Sequence, residues 1–196
     1  MEFISRHVTQ WLTKNNVINK QEEELYEYAV YSLLITMLPL LMAFGIGCTM
    51  NKCAASIVFI FPFMLIRKYS GGYHCKYPWI CIIISTGILY FGIYIVDKIN
   101  HNKYVDLIFV VSVIGLMILS PIDSANRRLE VDEKKVYKKR TIYLLILSAI
   151  VYMAMLQLNK LFAVCVFEGI VLTFSLQIPC VISSVYKKIL GLKRVD

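Results

Sequence analysis

A histidine and a cysteine seven residues apart, His74 and Cys81, lie in the run Arg67-Lys68-Tyr69-Ser70-Gly71-Gly72-Tyr73-His74-Cys75-Lys76-Tyr77-Pro78-Trp79-Ile80-Cys81. An imidazole close to a thiol can take its proton and leave a thiolate nucleophile. In one unbroken helix this spacing would hold the two residues about 10 Å apart along the axis, too far for proton transfer. The segment is not written as one helix. Ser70-Gly71-Gly72 favours a tight turn, and Pro78 suits the first turn of a helix, where its missing N–H would be unpaired anyway. A helix is therefore predicted to start at Pro78, with Cys81 in its first turn. There the unpaired N–H groups and the positive end of the helix dipole stabilise a thiolate, and Arg67, Lys68 and Lys76 act in the same sense. Cys75 is the rival nucleophile, because it adjoins His74. Adjacent loop side chains tend to point apart, however, and Cys75 lacks the helix-start environment. On these residues alone a structural histidine and cysteine in a loop is the competing reading.

The elements that must position this pair follow from composition. Of 196 residues, 58% are hydrophobic and only 17% charged, with a mean hydropathy of +0.64. A soluble domain is nearer half apolar and a quarter charged, and a chain of this size could not hide so much apolar surface from water. The composition excludes an ordinary soluble domain and a disordered chain, and implies an all-α, multi-pass membrane protein. Uncharged stretches occupy residues 28–51, 53–66, 77–96, 107–122, 141–159 and 169–186. Crossing about 30 Å of hydrocarbon takes about 20 helical residues. Six membrane helices are expected, with four spans plus two re-entrant segments as the alternative because 53–66 is short.

The charges orient the bundle. The chain carries 21 Lys+Arg against 13 Asp+Glu. With an inside N-terminus and six crossings, the cytoplasmic segments hold three, three, seven and four basic residues, and the outer segments hold only Lys52, Lys98, Lys103 and Lys160. This bias places both termini and the His74–Cys81 segment on the cytoplasmic side of the cell membrane. No basic run is interleaved with aromatics outside an apolar segment, so nucleic acid is not an expected partner.

The chain reads as a single domain over 1–196, with a cytoplasmic N-terminus (1–27), the His–Cys segment (67–81) and a basic loop (123–140). In the first of these, Ile4, Val8, Trp11 and Leu12 recur at helical spacing with Arg6, Gln10 and Lys14 elsewhere, the pattern of an amphipathic helix in the interface or beneath the bundle. Docking of a partner peptide is its sharper reading. Asn19 followed by Glu22 resembles a capping box for the next helix. Pro39, Pro62 and Pro179 fall within apolar segments, where a bundle tolerates them. No cleavable signal sequence is expected, since the first 27 residues contain no apolar stretch longer than two. The six cysteines include no C-x-x-C pair, so no structural zinc site is expected.

Further polar residues have two readings each. Ser70, Asp123 and Asn126 could orient His74 or donate to an oxyanion, or cap helix ends. Gly71 and Gly72 could present N–H groups to an oxyanion, or simply turn the chain. His101 belongs to an outer loop and is expected to be solvated, and His7 lies on the polar side of the first helix. Glu168 is either a functional carboxylate at depth or a marker of the outer interface. The 123–140 loop, with seven basic and four acidic residues, sets topology and can also meet anionic lipid headgroups.

The run R-K-x-S-G-G-x-H, with a cysteine seven residues after the histidine at the head of a span, resembles the AgrB family, the accessory gene regulator B membrane endopeptidases of Gram-positive quorum sensing. The resemblance covers most of the chain: its length, its N-terminal helix, its span pattern and the basic loop before the last two spans. Ser120-Pro121-Ile122-Asp123-Ser124-Ala125-Asn126-Arg127 is similar to the family's proline-containing turn after the fourth span. Cys75 stands where the family usually has another small residue.

The resemblance implies that Cys81 is the nucleophile and His74 its base. The implied substrate is an AgrD-type propeptide whose C-terminal tail is cut off on the cytoplasmic side through a thioester acyl-enzyme. A Cys or Ser of the peptide then closes a thiolactone or lactone ring. Arg67, Lys68, Arg127 and Arg128 are candidates to contact lipid headgroups or the acidic tail that AgrD-type peptides carry; the family also suggests a homodimer, and no cofactor is expected. Two other classes stay open on the residues themselves: a non-enzymatic membrane protein that binds or exports a peptide, and a redox or metal-binding membrane protein using Cys75 and Cys81.

Overall fold

Each of the six uncharged stretches falls largely within one helix. The computed structural model describes residues 2–15, 17–71, 78–122 and 130–189, with 78–82 and 183–189 among those described by backbone alone. The helices are α1 (Glu2–Lys14), α2 (Glu23–Thr49), α3 (Cys53–Ser70), α4 (Pro78–Ile95), α5 (Lys103–Leu119), α6 (Val131–Leu158) and α7 (Lys160–Ile189), with short 3₁₀ turns at Lys20–Glu22 and Val96–Lys98. No strand occurs among the described residues. Among the described residues three segments are long and apolar enough to cross a membrane: Cys53–Ser70, Asp132–Leu158 and Lys160–Ile182; Met37–Thr49 is a shorter apolar run. The stretch that looked short in sequence gains length because helix α3 continues through Arg67 and Lys68 to Ser70. Its 18 residues form one continuous rod of about 27 Å.

Local chemistry sets several helix starts. Asn102 accepts from the backbone N–H groups of Tyr104 and Val105 at 3.0 and 3.1 Å and opens α5. Asn159 does the same for Leu161 at 3.0 Å and opens α7. A reciprocal capping box opens α6, made by Glu130 and Glu133. The box expected from Asn19 and Glu22 does not form. The chain there is a 3₁₀ turn in which the Asn19 carbonyl accepts from Glu22 N–H at 3.0 Å. Helix α2 starts only at Glu23, so the two residues do not occupy its N-cap and N3 positions.

Helix α7 is the centre of the packing. On one side it meets α3, α5 and α6 around Ile66, Phe109, Leu116, Leu145, Tyr152 and Ile170. On the other, Cys165 joins Ala43, Phe59, Ile60, Leu89 and Ile93 of α2, α3 and α4. Close approach of α3 and α7 needs Gly169, where a Cβ would lie 2.7 Å from the Phe59 carbonyl oxygen. Burying apolar side chains against other helices gains little over lipid, so close packing and interhelical hydrogen bonds carry specificity in such a bundle. Two buried hydroxyls are satisfied within their own helices: Thr173 donates to Gly169 O at 2.7 Å and Ser148 to Leu144 O at 2.8 Å. The outward faces are apolar. Ile83 is 72% and Ile118 69% exposed, with Phe91, Tyr143, Ile150 and Met153 alongside them. This exposure fits a protein surrounded by lipid.

Contacts sort the links between helices to two ends of the bundle. At one end Lys52 pairs with Asp97 at 2.6 Å and donates to Ile93 O at 3.0 Å, joining the α2–α3 turn to the end of α4. Near it Asp106 accepts from Tyr152 at 2.7 Å and pairs with His101 at 2.9 Å. His101 is therefore held by a carboxylate and not free in solvent as expected; the turn into α5 brings Asp106 back beneath it. At the opposite end Ile122 N–H donates to Ser70 O at 3.0 Å, joining the exits of α5 and α3. Helix α1 lies along α2, with Arg6 paired to Glu27 at 2.9 Å. Its buried residues are Ser5 and Thr9, whereas Phe3, Ile4, Val8 and Trp11 are exposed.

Candidate active site

Helix α3 ends where the sequence turns from Ser70 to Gly71. Gly71 takes φ +75°, a conformation that costs glycine little and other residues much. Its N–H closes the helix by donating to Arg67 O at 3.1 Å. That donor is thereby committed to the helix end, in keeping with the turn reading of Gly71. A side chain at this position would also run into the Ile122 carbonyl oxygen, so glycine is required on two counts.

Ser70 is fully buried. Its hydroxyl donates to Gly71 O at 3.3 Å, and its carbonyl, one of the orphan acceptors of a helix end, takes two donors. One is Ile122 N–H at 3.0 Å and the other is the side-chain amide of Gln177 in α7, also at 3.0 Å. The same Gln177 nitrogen donates to the Ser120 hydroxyl at 2.9 Å. Ser120 is itself buried and precedes Pro121 through a cis peptide bond. Two segments singled out separately in the sequence, Ser70-Gly71 and Ser120-Pro121-Ile122, thus meet at one joint held by a third helix.

The basic residues around this joint are paired with aromatic rings. The Arg67 guanidinium lies over Phe63 at 5.7 Å and the Lys68 ammonium over Tyr69 at 5.7 Å. Tyr69 also meets the edge of Tyr137 at 5.6 Å and lies under Arg140 at 5.4 Å. The start of α6, which is the C-terminal part of the basic 123–140 segment, is therefore docked on the end of α3.

Helix α4 begins at Pro78 as its sequence predicts, which makes Cys81 the fourth residue of that helix. The Cys81 side chain lies outside the described residues, as do His74, Cys75, Gly72, Asp123, Asn126, Arg127 and Arg128. In the sequence His74 stands three residues after Gly71, and Asp123 directly follows Ile122. Glu168 does not belong here. It is nine residues before Gln177, about 14 Å along α7, with its Oε2 buried and without a hydrogen-bond partner among the described residues. Among those residues no group of three or more His, Cys, Asp or Glu side chains could hold a metal.

Gln177 was not singled out by sequence reasoning. The available signal was its position as the only side-chain amide in the uncharged stretch 169–186. A strongly hydrogen-bonding group inside an apolar helix needs a partner, but nothing in the sequence says which one.

The family model described as accessory gene regulator B matches residues 5–180. An AgrB-like protein of Clostridium perfringens strain SM101 is 29% identical over 169 residues, covering 78% of each chain. A second AgrB-like protein, from Clostridium perfringens strain 13, is 28% identical over 168 residues, again covering 78% of each chain. One from Listeria innocua is 25% identical over 137 residues, 67% of each. No solved structure gives a significant match.

Proposed function

Because the chain belongs to the accessory gene regulator B family, we propose that it is a membrane cysteine endopeptidase that removes the C-terminal tail of an AgrD-type propeptide in quorum sensing. The family supports the substrate, and the names of the relatives assign the family without stating a reaction. One observation supports the residue assignment: Cys81 is in the first turn of α4, and the glycine turn that precedes it in the chain is held by α7 and by the segment after α5. That position offers a thiolate the free N–H groups of a helix start.

In the proposed reaction His74 takes the Cys81 proton and the sulfur attacks the scissile carbonyl. The C–N bond breaks, the leaving amine takes the proton from His74, and a thioester joins the propeptide to Cys81. A Cys or Ser of the bound peptide then attacks the thioester, releases the Cys81 sulfur and closes the ring. A site poor in water favours this closure over hydrolysis. Asp123 or Asn126 would orient His74, and Gly72 would donate to the oxyanion. Arg67, Lys68, Arg127 and Arg128 would meet the acidic tail or lipid headgroups.

In the same reading six helices cross the bilayer and the protein acts as a homodimer. Both termini and the Ser70–Ile122 joint face the cytoplasm. The sorting of helix links to two ends supports this alternation. The exposed apolar residues of α1 then lie in the inner leaflet interface.

The test is co-expression with an AgrD-type propeptide, scored by the mass of the released peptide. Cys81→Ala should abolish release, and His74→Ala should slow it by about 10²–10⁴. Normal release by Cys81→Ala would overturn the assignment, and binding without cleavage by the wild type would favour a peptide-binding or export protein.

A further inference from the structure

We infer that Gln177 is a positioning residue for the peptidase chemistry: it sets the point from which the His74 segment departs. This rests on the assignment of Cys81 and His74 above. The Gln177 side chain is fully buried, and its nitrogen bridges the Ser70 carbonyl and the Ser120 hydroxyl at 3.0 and 2.9 Å. Ser70 O also receives Ile122 N–H. One amide therefore ties the last residue of α3 to the segment after α5, using a fixed point on α7. Gly71 follows Ser70 directly, and His74 is three residues further on. Asp123 follows Ile122. The segments carrying the proposed base and its proposed partner leave from the same joint.

The joint is not what helix packing alone would select. Gln177 Oε1 is buried with no hydrogen-bond partner among the described residues, and an unmet buried acceptor opposes stability. A methionine or leucine would fill the same space without that penalty. The amide gives instead two directional hydrogen bonds in a low-dielectric setting, where such bonds are strong. They fix distance and angle between three chain segments, as an apolar contact would not. Chemistry at His74 and Cys81 depends on sub-ångström placement, and loss of it lowers turnover more than binding.

The experiment uses the full chain in detergent or vesicles with a synthetic AgrD-type propeptide, and measures kcat and KM for tail release. Gln177→Met keeps length and removes both donors. It should lower kcat about tenfold or more while KM stays within about twofold. Ser120→Ala removes one of the two hydrogen bonds and should lower kcat severalfold. The double variant should be no slower than Gln177→Met alone, because the two residues act as one unit.

A separate readout is the pH profile of Cys81 alkylation by iodoacetamide, followed by the mass of the peptide carrying Cys81. Its midpoint should rise in Gln177→Met as His74 loses its position; a merely structural role would leave it unchanged in the folded protein. A wild-type kcat in Gln177→Met, additive losses or an unmoved midpoint would each overturn the inference. If Gln177→Met does not fold, Ser120→Ala decides the matter, with a wild-type kcat and midpoint as the negative result. If Cys81→Ala still releases the tail, the peptidase reading itself fails. If Cys81 is essential and Gln177→Met turns over normally, only the positioning role fails.

Discussion

Gln177 of α7 donates its side-chain amide to the backbone carbonyl of Ser70, 107 residues earlier in the chain, at 3.0 Å. This contact ties the end of α3, where the glycine turn begins, to α7. The consequences reach both the proposed chemistry and the stability of the bundle.

At the proposed catalytic residues the losses should be graded. Cys81→Ala removes the nucleophile and should bring tail release to background. His74→Ala removes a general base, a term of about 10²–10⁴ in rate. Cys75→Ala should release the tail within about twofold of wild type. Quantitative mass spectrometry of the released peptide separates the three, and a loss confined to Cys75→Ala would move the nucleophile there.

Gly71→Ala tests the turn. A β-carbon at φ +75° and ψ −165°, a region essentially reserved for glycine, costs about 1–3 kcal/mol in backbone conformation, and the collision with the Ile122 carbonyl adds to it. The variant should be destabilised by at least that amount and lose turnover as the Ser70–Ile122 joint shifts. Thermal unfolding in detergent, read beside propeptide cleavage, checks both effects. A wild-type Tm would show that the joint tolerates displacement.

The opposite end offers a pH-dependent test. Hydrogen bonds from Tyr152, and then from His101, hold the Asp106 carboxyl below its ordinary value of 3.8. A lowered folded-state pKa stabilises the protein above the unfolded value and loses that contribution as pH falls through the folded value. Tyr152→Phe keeps the ring stacked on Phe109 at 4.1 Å and removes only the hydroxyl. Asp106 is partly exposed and can turn to water, so the loss at neutral pH should be about 1 kcal/mol. The difference from wild type should stay constant down to the ordinary carboxylate range and shrink below it. A difference that instead vanished between pH 8 and 6 would contradict the Asp106 account.

Orientation is open to direct labelling. In a chain whose native cysteines are serine, Lys103→Cys should react with an impermeant maleimide in intact cells, and Lys138→Cys should react only after the membrane is opened. The reverse pattern would place the Ser70–Ile122 joint outside the cell and remove the cytoplasmic site.

Much was legible in the residues because it depends on local physics. Uncharged stretches mark the helices, since a backbone in hydrocarbon must satisfy its own hydrogen bonds. Pro78 marks the start of α4 because proline fits a first turn, and Ser70-Gly71 marks the end of α3 because glycine accepts positive φ. The His74–Cys81 spacing and the R-K-x-S-G-G-x-H run pointed to the family, whose model matches residues 5–180.

Long-range partnerships were not legible. Asn19 and Glu22 had the spelling of a capping box, yet tertiary packing let α2 begin later. The real box at Glu130 and Glu133 has no Ser or Thr to announce it. His101 looked solvated because its neighbours in sequence are asparagines, whereas its partner Asp106 is brought back by the turn into α5. Gln177 carries no local pattern at all. Its amide acquires meaning only when α7 passes between the ends of α3 and α5, because a buried hydrogen bond is decided by which groups meet in space. The sequence by itself determined the helices, the bilayer character and the candidate nucleophile; the tertiary structure decided which distant residue holds the turn leading to it.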